Sequence, residues 1–199
     1  MSYMLTTLSQ KREVDSIIRD TIDKVLVLRF GRASDPICLH LDQILSKAAR
    51  EVSKFATVAL VDIDSPDIQV YVKYFDITLI PSTVFFFNAH HMKMDSGTAD
   101  HTKWIGAFHK KQDFIDVVET IFRGAMNGKL IVNCPLPADR IPKYQLLLGA
   151  ILGALNPKFI SSPYPPKNSS LGKDLGAWTD HPTSLHHPSF TALYSFTRF

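Results

Sequence analysis

Apolar and polar residues follow two different periods along the first part of the chain, and each period predicts one kind of element. Residues 11–24 are charged, with apolar side chains at helical spacing, which predicts a short amphipathic helix. Val25–Phe30 is a nearly continuous apolar run typical of a buried strand, and Thr57–Ile63 predicts a second, parallel strand. Between the two strands lies a predicted helix whose apolar stripe consists of Ile37, Leu41, Ile44, Leu45, Ala48 and Val52.

The following part of the chain predicts a helix, two strands and a closing helix. Proline at position 66 is placed to begin a helix over residues 66–74. Ser82–Asn88 predicts a central strand, and the alternation in His91–Asp95 predicts an antiparallel edge strand beside it. Gln112–Asn127 predicts the closing helix, with Gly128 at its C-cap. The order βαβ followed by ββα predicts an α/β domain of thioredoxin-like fold, a mixed central sheet flanked by helices.

The character of the sequence changes after about residue 144. The last 55 residues contain half of the 12 prolines and only two acidic residues, and they sustain no period. Such a composition buries too little apolar surface to offset the entropy that is lost on ordering. We therefore predict a thioredoxin-like domain over residues 1–147 and a largely disordered C-terminal extension over residues 148–199.

Composition limits the classes of function that this chain can have. The formal net charge of +3 is too small to indicate a nucleic-acid or membrane partner by itself. Two cysteines give no disulfide framework, which favours a reducing compartment such as the cytosol or the nucleus. The first residues lack the basic and apolar regions of a signal peptide, and no apolar run reaches the length that spans a bilayer. We therefore expect no membrane partner.

The segment between the first strand and the following helix carries the candidate chemistry. A redox-active thioredoxin fold keeps a Cys-x-x-Cys motif here, but this chain has Asp35 at the first position and Cys38 at the second. A dithiol cycle needs an attacking thiolate and a resolving thiol, and a carboxylate supplies neither. Asp35 and Pro36 instead match an N-cap and the first helical position. A monothiol redox protein that uses Cys38 stays an alternative, because a helix N-terminus can lower the pKa of a thiol.

Two further positions bear on the same site. Pro81 precedes the predicted central strand, where a thioredoxin fold places a cis proline opposite the active-site loop. Arg29 stands where redox-active thioredoxins carry a buried acid that relays protons, so a cation here is a second loss of redox machinery. We therefore predict a vestigial redox position of Asp35, Pro36 and Cys38 beside a cis proline at Pro81. We predict no catalytic residue and no cofactor.

Histidine and aromatic residues do not form the patterns of a metal or nucleic-acid site. No pair among His90, His91, His101 and His109 has the helical i, i+4 spacing, and no cysteine cluster joins them, so no metal site is predicted. A buried strand explains the aromatic run Phe85–Phe87, which lacks the flanking basic and glycine residues of RNA-binding motifs. We predict no direct nucleic-acid site.

Several segments of the chain resemble one family of proteins. The sequence Arg-Gly-Ala at 123–125 is not general among thioredoxins, and it makes the resemblance specific. The chain is similar to the thioredoxin-like 4 family of spliceosomal proteins over about residues 1–147. The segments that carry the resemblance are 30–32, 35–38, 60–62, 80–87, 122–132 and 141–144.

This resemblance implies a non-redox pre-mRNA splicing factor in the nucleus that binds protein components of the spliceosomal tri-snRNP. It also implies that the protein can self-associate as a homodimer and is linked to cell-cycle progression. One branch of the family has a second cysteine in the cis-proline region that can approach the cysteine matching Cys38. Ser82 at this position rules out that bridge and favours the other branch. The extension departs from the family. It is either lineage-specific or translated non-coding sequence from an alternative transcript, and we favour the second hypothesis.

Two surfaces are candidates for partner binding by analogy with thioredoxin substrates. One is the groove between residues 33–37 and residues 80–83. The other is the exit of the last helix, because a glycine there permits close approach of a partner. The candidate contacts are Ser34, Ile37, Ile80 and Ser82 in the groove, and Arg123 and Gly124 at the helix exit.

Overall fold

The computed structural model describes residues 4–143, so the predicted extension over residues 148–199 lies outside the described residues. The strands are β1 (Thr6–Leu8), β2 (Val25–Gly31), β3 (Ala56–Asp62), β4 (Ser82–Phe87), β5 (His90–Asp95), β6 (Trp104–Ile105) and β7 (Ile131–Asn133). The helices are α1 (Lys11–Asp20), α2 (Pro36–Val52), α3 (Gln69–Tyr74) and α4 (Lys111–Met126), and a 3₁₀ turn, Pro66–Ile68, precedes α3. None of these helices is both long and apolar enough to cross a membrane.

The strands pair into one mixed sheet in the order β1–β3–β2–β4–β5–β7, with β6 paired to the start of β4. β2 lies in the middle of the sheet, parallel to β3 and antiparallel to β4, and all of its residues are buried. β3 is parallel to β1, β4 is antiparallel to β5, and β5 is parallel to β7. The predicted thioredoxin-like fold with a mixed central sheet is therefore confirmed.

Alternating residues of β4 separate two hydrophobic cores, one on each face of the sheet. Val84 and Phe86 pack with residues of α1 and α3 and with Phe75. Phe85 and Phe87 pack on the other face with residues of α2 and α4. Because side chains of a strand point to opposite faces in turn, one aromatic run supplies both cores.

Helix α1 is shorter than the predicted helix over residues 11–24. It ends at Asp20, and Ile22, which fits the helical spacing, is 58% exposed. The chain turns at Asp23, whose φ is +56°, and the Asp23 amide donates a hydrogen bond to Asn88 Oδ1 at 2.6 Å. The turn into the central strand, fixed by a contact across the fold, therefore overrides the local helical pattern.

Two other assignments from the pattern are wrong. β5 is not an edge strand, because β7 pairs with its open side. Ile37 does not belong to the buried stripe of α2: it is 53% exposed in the first turn, whereas Leu41, one turn later, is fully buried. The sequence also missed β1, β6 and β7, since segments of two or three residues are too short to show a period.

Helix α4 ends in a Schellman motif that brings the chain back toward the sheet. Gly128, with φ at +74°, donates its N–H to the Ala125 carbonyl at 2.9 Å, and Lys129 donates to the Gly124 carbonyl at 3.0 Å. A Cβ atom at Gly124 would lie 2.3 Å from Val132 Cγ1. The close approach that we attributed to a partner at Gly124 is therefore occupied by the chain's own strand β7.

We expect the substitution Gly124→Ala to lower the free energy of unfolding by about 1–2 kcal/mol, because overpacking costs more than the better helix propensity of alanine returns. Urea unfolding at 25 °C measures this change. The double variant Gly124→Ala/Val132→Ala serves as control, since it removes the atom that clashes, and its loss should be smaller than the sum of the two single losses. A Gly124→Ala protein as stable as the original would contradict the packing assigned to β7.

Candidate functional site

Asp35 occupies the position of the first redox cysteine and acts as a helix cap. Its Oδ1 atom accepts hydrogen bonds from the backbone amides of Ile37 at 3.0 Å and Cys38 at 2.8 Å. The bond from the Cys38 amide lowers the pKa of the Asp35 carboxyl. Pro36 at the first helical position has no N–H that would need a partner. The carboxylate is therefore held as a structural cap of α2.

Cys38 is enclosed by the protein and poorly suited to thiol chemistry. Its side chain is fully buried, and its Sγ atom would lie only 2.5 Å from a Cβ placed on Gly31 of β2. Burial raises the pKa of the Cys38 thiol to about 11. The thiolate is the reactive form of cysteine, so a buried thiol with a raised pKa is a poor nucleophile.

We expect Cys38 in the folded protein at pH 7.5 to react with iodoacetamide at least about a hundred times more slowly than in urea, because a pKa two pH units higher lowers the thiolate fraction about a hundredfold. Mass spectrometry of the tryptic peptides gives the rate for each cysteine. Cys134, which is only partly buried, provides the internal comparison. Labelling of Cys38 at the same rate in both states would contradict the enclosed position.

A buried ion pair lies beneath this site. Arg29, on β2, is 3% exposed, and its Nε atom donates to Asp42 Oδ1 at 2.7 Å, while Nη2 donates to Asp42 Oδ2. The pair joins the central strand to α2. Burial raises the pKa of the Asp42 carboxyl, and the bonds from Arg29 oppose that rise. The position of the proton-relaying acid in redox thioredoxins therefore holds a cation that is used for structure.

The cis-proline loop lies beside the start of β4. The Ile80–Pro81 peptide bond is cis, and the Pro81 carbonyl accepts a hydrogen bond from the Gly106 amide at 2.8 Å. Ser82 is fully buried, and its hydroxyl donates to the Leu79 carbonyl at 2.6 Å. The prediction that Ser82 contacts a partner is therefore not supported by its position, because no part of its side chain reaches the surface.

An open groove of about 320 Å³ borders Ile80. Val72 and Ile77 form part of its apolar lining, and Arg32 and Asp64 contribute its charged part. Arg32 Nε donates to Asp64 Oδ1 at 2.7 Å, and both side chains are about half exposed. A groove with a mixed apolar and charged lining can accept a side chain of an extended segment from another protein.

The remaining candidate contacts lie in three places. Ser34 is exposed in the loop before α2, and Ile37 is exposed in the first turn of α2. Ile80 is half-buried and lines the groove next to Arg32. Arg123 is exposed at the far end of α4, where it pairs with Glu119.

Sequence reasoning missed both arginine–aspartate pairs of this site, whose partners are 13 and 32 residues apart. For the buried pair a signal was present, because Arg29 lies in an apolar strand and a buried cation requires a counter-charge. Asp42, which directly follows a core position of α2, is the acidic residue of that helix nearest to Arg29 in the sequence. For the exposed pair the sequence offers no comparable demand.

These features define the class of protein: a thioredoxin-fold domain in which a capping carboxylate and a buried thiol stand at the dithiol position. The family model described as "Mitosis protein DIM1" matches residues 4–138. The chain therefore belongs to the Dim1 family, and the resemblance to the thioredoxin-like 4 proteins is confirmed.

Two relatives compared by sequence agree with this assignment. The chain is 58% identical over 147 residues to Thioredoxin-like protein 4B of Homo sapiens, covering 74% of this chain and 97% of that protein. It is 35% identical over 134 residues to Spliceosomal protein DIB1 of Saccharomyces cerevisiae, covering 67% of this chain and 92% of that protein. Among solved structures, oxidized thioredoxin O2 of Arabidopsis thaliana has 16% identity and a TM-score of 0.48, covering 61% of this chain and 99% of that one.

Proposed function

We propose that this protein is a non-enzymatic thioredoxin-fold adaptor in pre-mRNA splicing that works in the nucleus and binds protein components of the spliceosomal tri-snRNP. A link to cell-cycle progression belongs to the same proposal. Membership of a family described by a mitosis protein supports the second part, and a relative named as a spliceosomal protein supports the first. Self-association into a homodimer remains part of the proposal.

The state of the former redox site is the observation that carries the non-enzymatic role. Asp35 is engaged by two backbone amides, and Cys38 is buried with a raised pKa. A monothiol redox protein needs an accessible thiolate for attack on a mixed disulfide. These properties of Cys38 count against the monothiol alternative and support a domain that keeps the scaffold for binding.

The docking surface of the adaptor is proposed from exposure and shape. The groove beside Ile80 remains a candidate, and Ile37, which does not line it, is an exposed apolar candidate in the first turn of α2. Arg123 remains a candidate at the end of α4. Because Ser82 and Gly124 are buried, they support these surfaces from within and do not contact the partner themselves.

The test is a pull-down from nuclear extract with the full chain as bait, with and without RNase, read by mass spectrometry. The adaptor proposal expects RNase-resistant recovery of tri-snRNP proteins. Recovery that disappears with RNase would indicate attachment through RNA and contradict direct binding to protein. A Cys38→Ser bait is the matched control. It has no thiol at this site, and the adaptor proposal expects it to recover the same tri-snRNP proteins in unchanged amounts.

A further inference from the structure

The last strand of the sheet presents an open edge. β7 ends the sheet order, and among residues 4–143 no strand pairs with its outer side. Its bonds to β5 include those made by the Leu130 carbonyl and the Cys134 N–H, at 2.8 and 2.7 Å. In a parallel ladder alternate residues bond to one neighbour, so the N–H and C=O groups of Ile131 and Asn133 point away from β5. This edge is a template for one more strand.

Large apolar side chains stand exposed around the same edge. Met126, in the last turn of α4, is 61% exposed, Leu130 is 56% exposed and Ile131 is 47% exposed. Val132, between the exposed positions of β7, is buried against Gly124 and fixes the strand on the domain. Single exposed apolar residues are common on monomers, but two neighbouring ones at an unpaired strand edge, with a third at the end of the preceding helix, indicate an interaction surface.

The charges beside this edge define the chemistry of a partner. Lys93 is the register partner of Ile131, so the two side chains lie on the same face of the sheet. Neither Lys93 nor Lys129 forms an ion pair with another residue of the described part, and both are exposed. Asp95, two residues further along β5, is the register partner of Asn133 and lies on the same face, where its Oδ1 atom accepts a hydrogen bond from the Gly97 amide at 2.9 Å. Lys129 starts on the other side, where its Cβ would lie 4.0 Å from a Cβ placed on Gly124. On the face of Ile131 the cation without an ion pair is therefore Lys93, which is complementary to carboxylates that alternate with apolar side chains.

We propose that the outer edge of β7 is a docking site for an extended segment of another protein in which apolar and acidic residues alternate. The segment adds a strand to the sheet through the backbone of Ile131 and Asn133. Its apolar side chains lie on the side of Leu130 and Val132, and its carboxylates lie on the side of Ile131 and Lys93. This inference rests on the proposed function, because it gives the adaptor a partner of defined chemistry.

The direct test uses the full ¹⁵N-labelled chain and a synthetic octapeptide in which valine and glutamate alternate. An octapeptide with lysine in place of glutamate is the matched control. We expect the glutamate peptide to bind at least tenfold more tightly, and the amides of Ile131 and Asn133 to exchange at least tenfold more slowly in the complex. Equal binding of the two peptides, protection at another surface, or no binding of the glutamate peptide would overturn the proposal.

Two variants separate the backbone contribution from the charge contribution. Ile131→Pro removes the N–H that points outward and leaves the bonds of its neighbours to β5, as proline does on edge strands. Ile131→Pro should lower the affinity for the glutamate peptide at least tenfold. Ile131→Ala keeps the N–H and should lower this affinity less. Lys93→Glu should reverse the preference toward the lysine peptide, because it leaves only carboxylates of β5 on the face of Ile131, and it does not touch the backbone of β7. Lys47→Glu, on the exposed face of α2, is the remote control and should change neither affinity.

The same variants distinguish this inference from the proposed function. If the original protein recovers spliceosomal proteins from extract and Ile131→Pro recovers them equally well, the adaptor role stands and the β7 site is wrong. If the original protein recovers none, the adaptor role fails, and the peptide titration still decides whether the edge binds such a segment.

Discussion

Replacing Asp42 with alanine should lower the free energy of unfolding by about 3 kcal/mol, because removal of one partner leaves an uncompensated buried charge. The charge in question is the guanidinium of Arg29, which is 3% exposed in the central strand and donates two hydrogen bonds to this carboxylate. Denaturation in urea, with the midpoint and slope fitted together, measures the loss.

The exposed pair between Arg32 and Asp64 is a matched control for this prediction. It has the same residue types and the same 2.7 Å distance from Nε to Oδ1, but both of its side chains are about half exposed. We expect Asp64→Ala to lower the free energy of unfolding by less than about 1 kcal/mol, since solvent screens an exposed ion pair. Equal losses from Asp42→Ala and Asp64→Ala would show that burial does not set the value of the inner pair.

A double substitution tests the origin of the loss. In Arg29→Met/Asp42→Leu both charges are replaced by apolar side chains, so no buried charge is left without a partner. We expect the free energy of unfolding of this variant to lie within about 1 kcal/mol of that of the original protein, because well-packed apolar residues often replace a buried ion pair at little cost. A double variant as unstable as Asp42→Ala would assign the loss to packing and would contradict the electrostatic explanation.

Replacing Gly31 with alanine should lower the free energy of unfolding by about 2–3 kcal/mol, because a methyl group is forced into a filled interior. The new Cβ atom would lie 2.5 Å from Cys38 Sγ and 2.8 Å from Arg29 Nη1. The guanidinium is held by Asp42 and the thiol is enclosed, so neither atom is free to move away. Thermal and urea unfolding measure the effect.

The control for Gly31→Ala is a double-mutant cycle with Cys38→Ala. In the double variant the two Cβ atoms face each other at about the 3.6 Å that separates a Gly31 Cβ from Cys38 Cβ, which is an ordinary contact. We expect the double variant to lose at least about 1 kcal/mol less than the sum of the single variants. Strict additivity would mean that Cys38 does not fill the space beside Gly31. The residual loss reports the contact with Arg29.

Long apolar periods made much of the fold predictable from the chain alone. Strands β2, β3 and β4 and helix α4 begin and end within one residue of the prediction. Each of them has enough buried apolar residues to show a clear period or a continuous apolar run. The errors fall where the pattern is short or where a distant residue decides. Helix α1 ends early because Asp23 bonds to Asn88, and β7 is found only when α4 and β5 are both in place.

The sequence alone determined that the dithiol chemistry is lost, because Asp35 stands where the first cysteine would be and thiol exchange within the motif needs two thiols. The tertiary structure decided what those residues do instead. Only the packing shows that Cys38 is buried against Gly31 and that Arg29 pairs with Asp42. It also shows that Ser82 and Gly124 are buried. Accessibility and charge pairing depend on residues that are far apart in the chain, and a one-dimensional pattern does not record which of them meet.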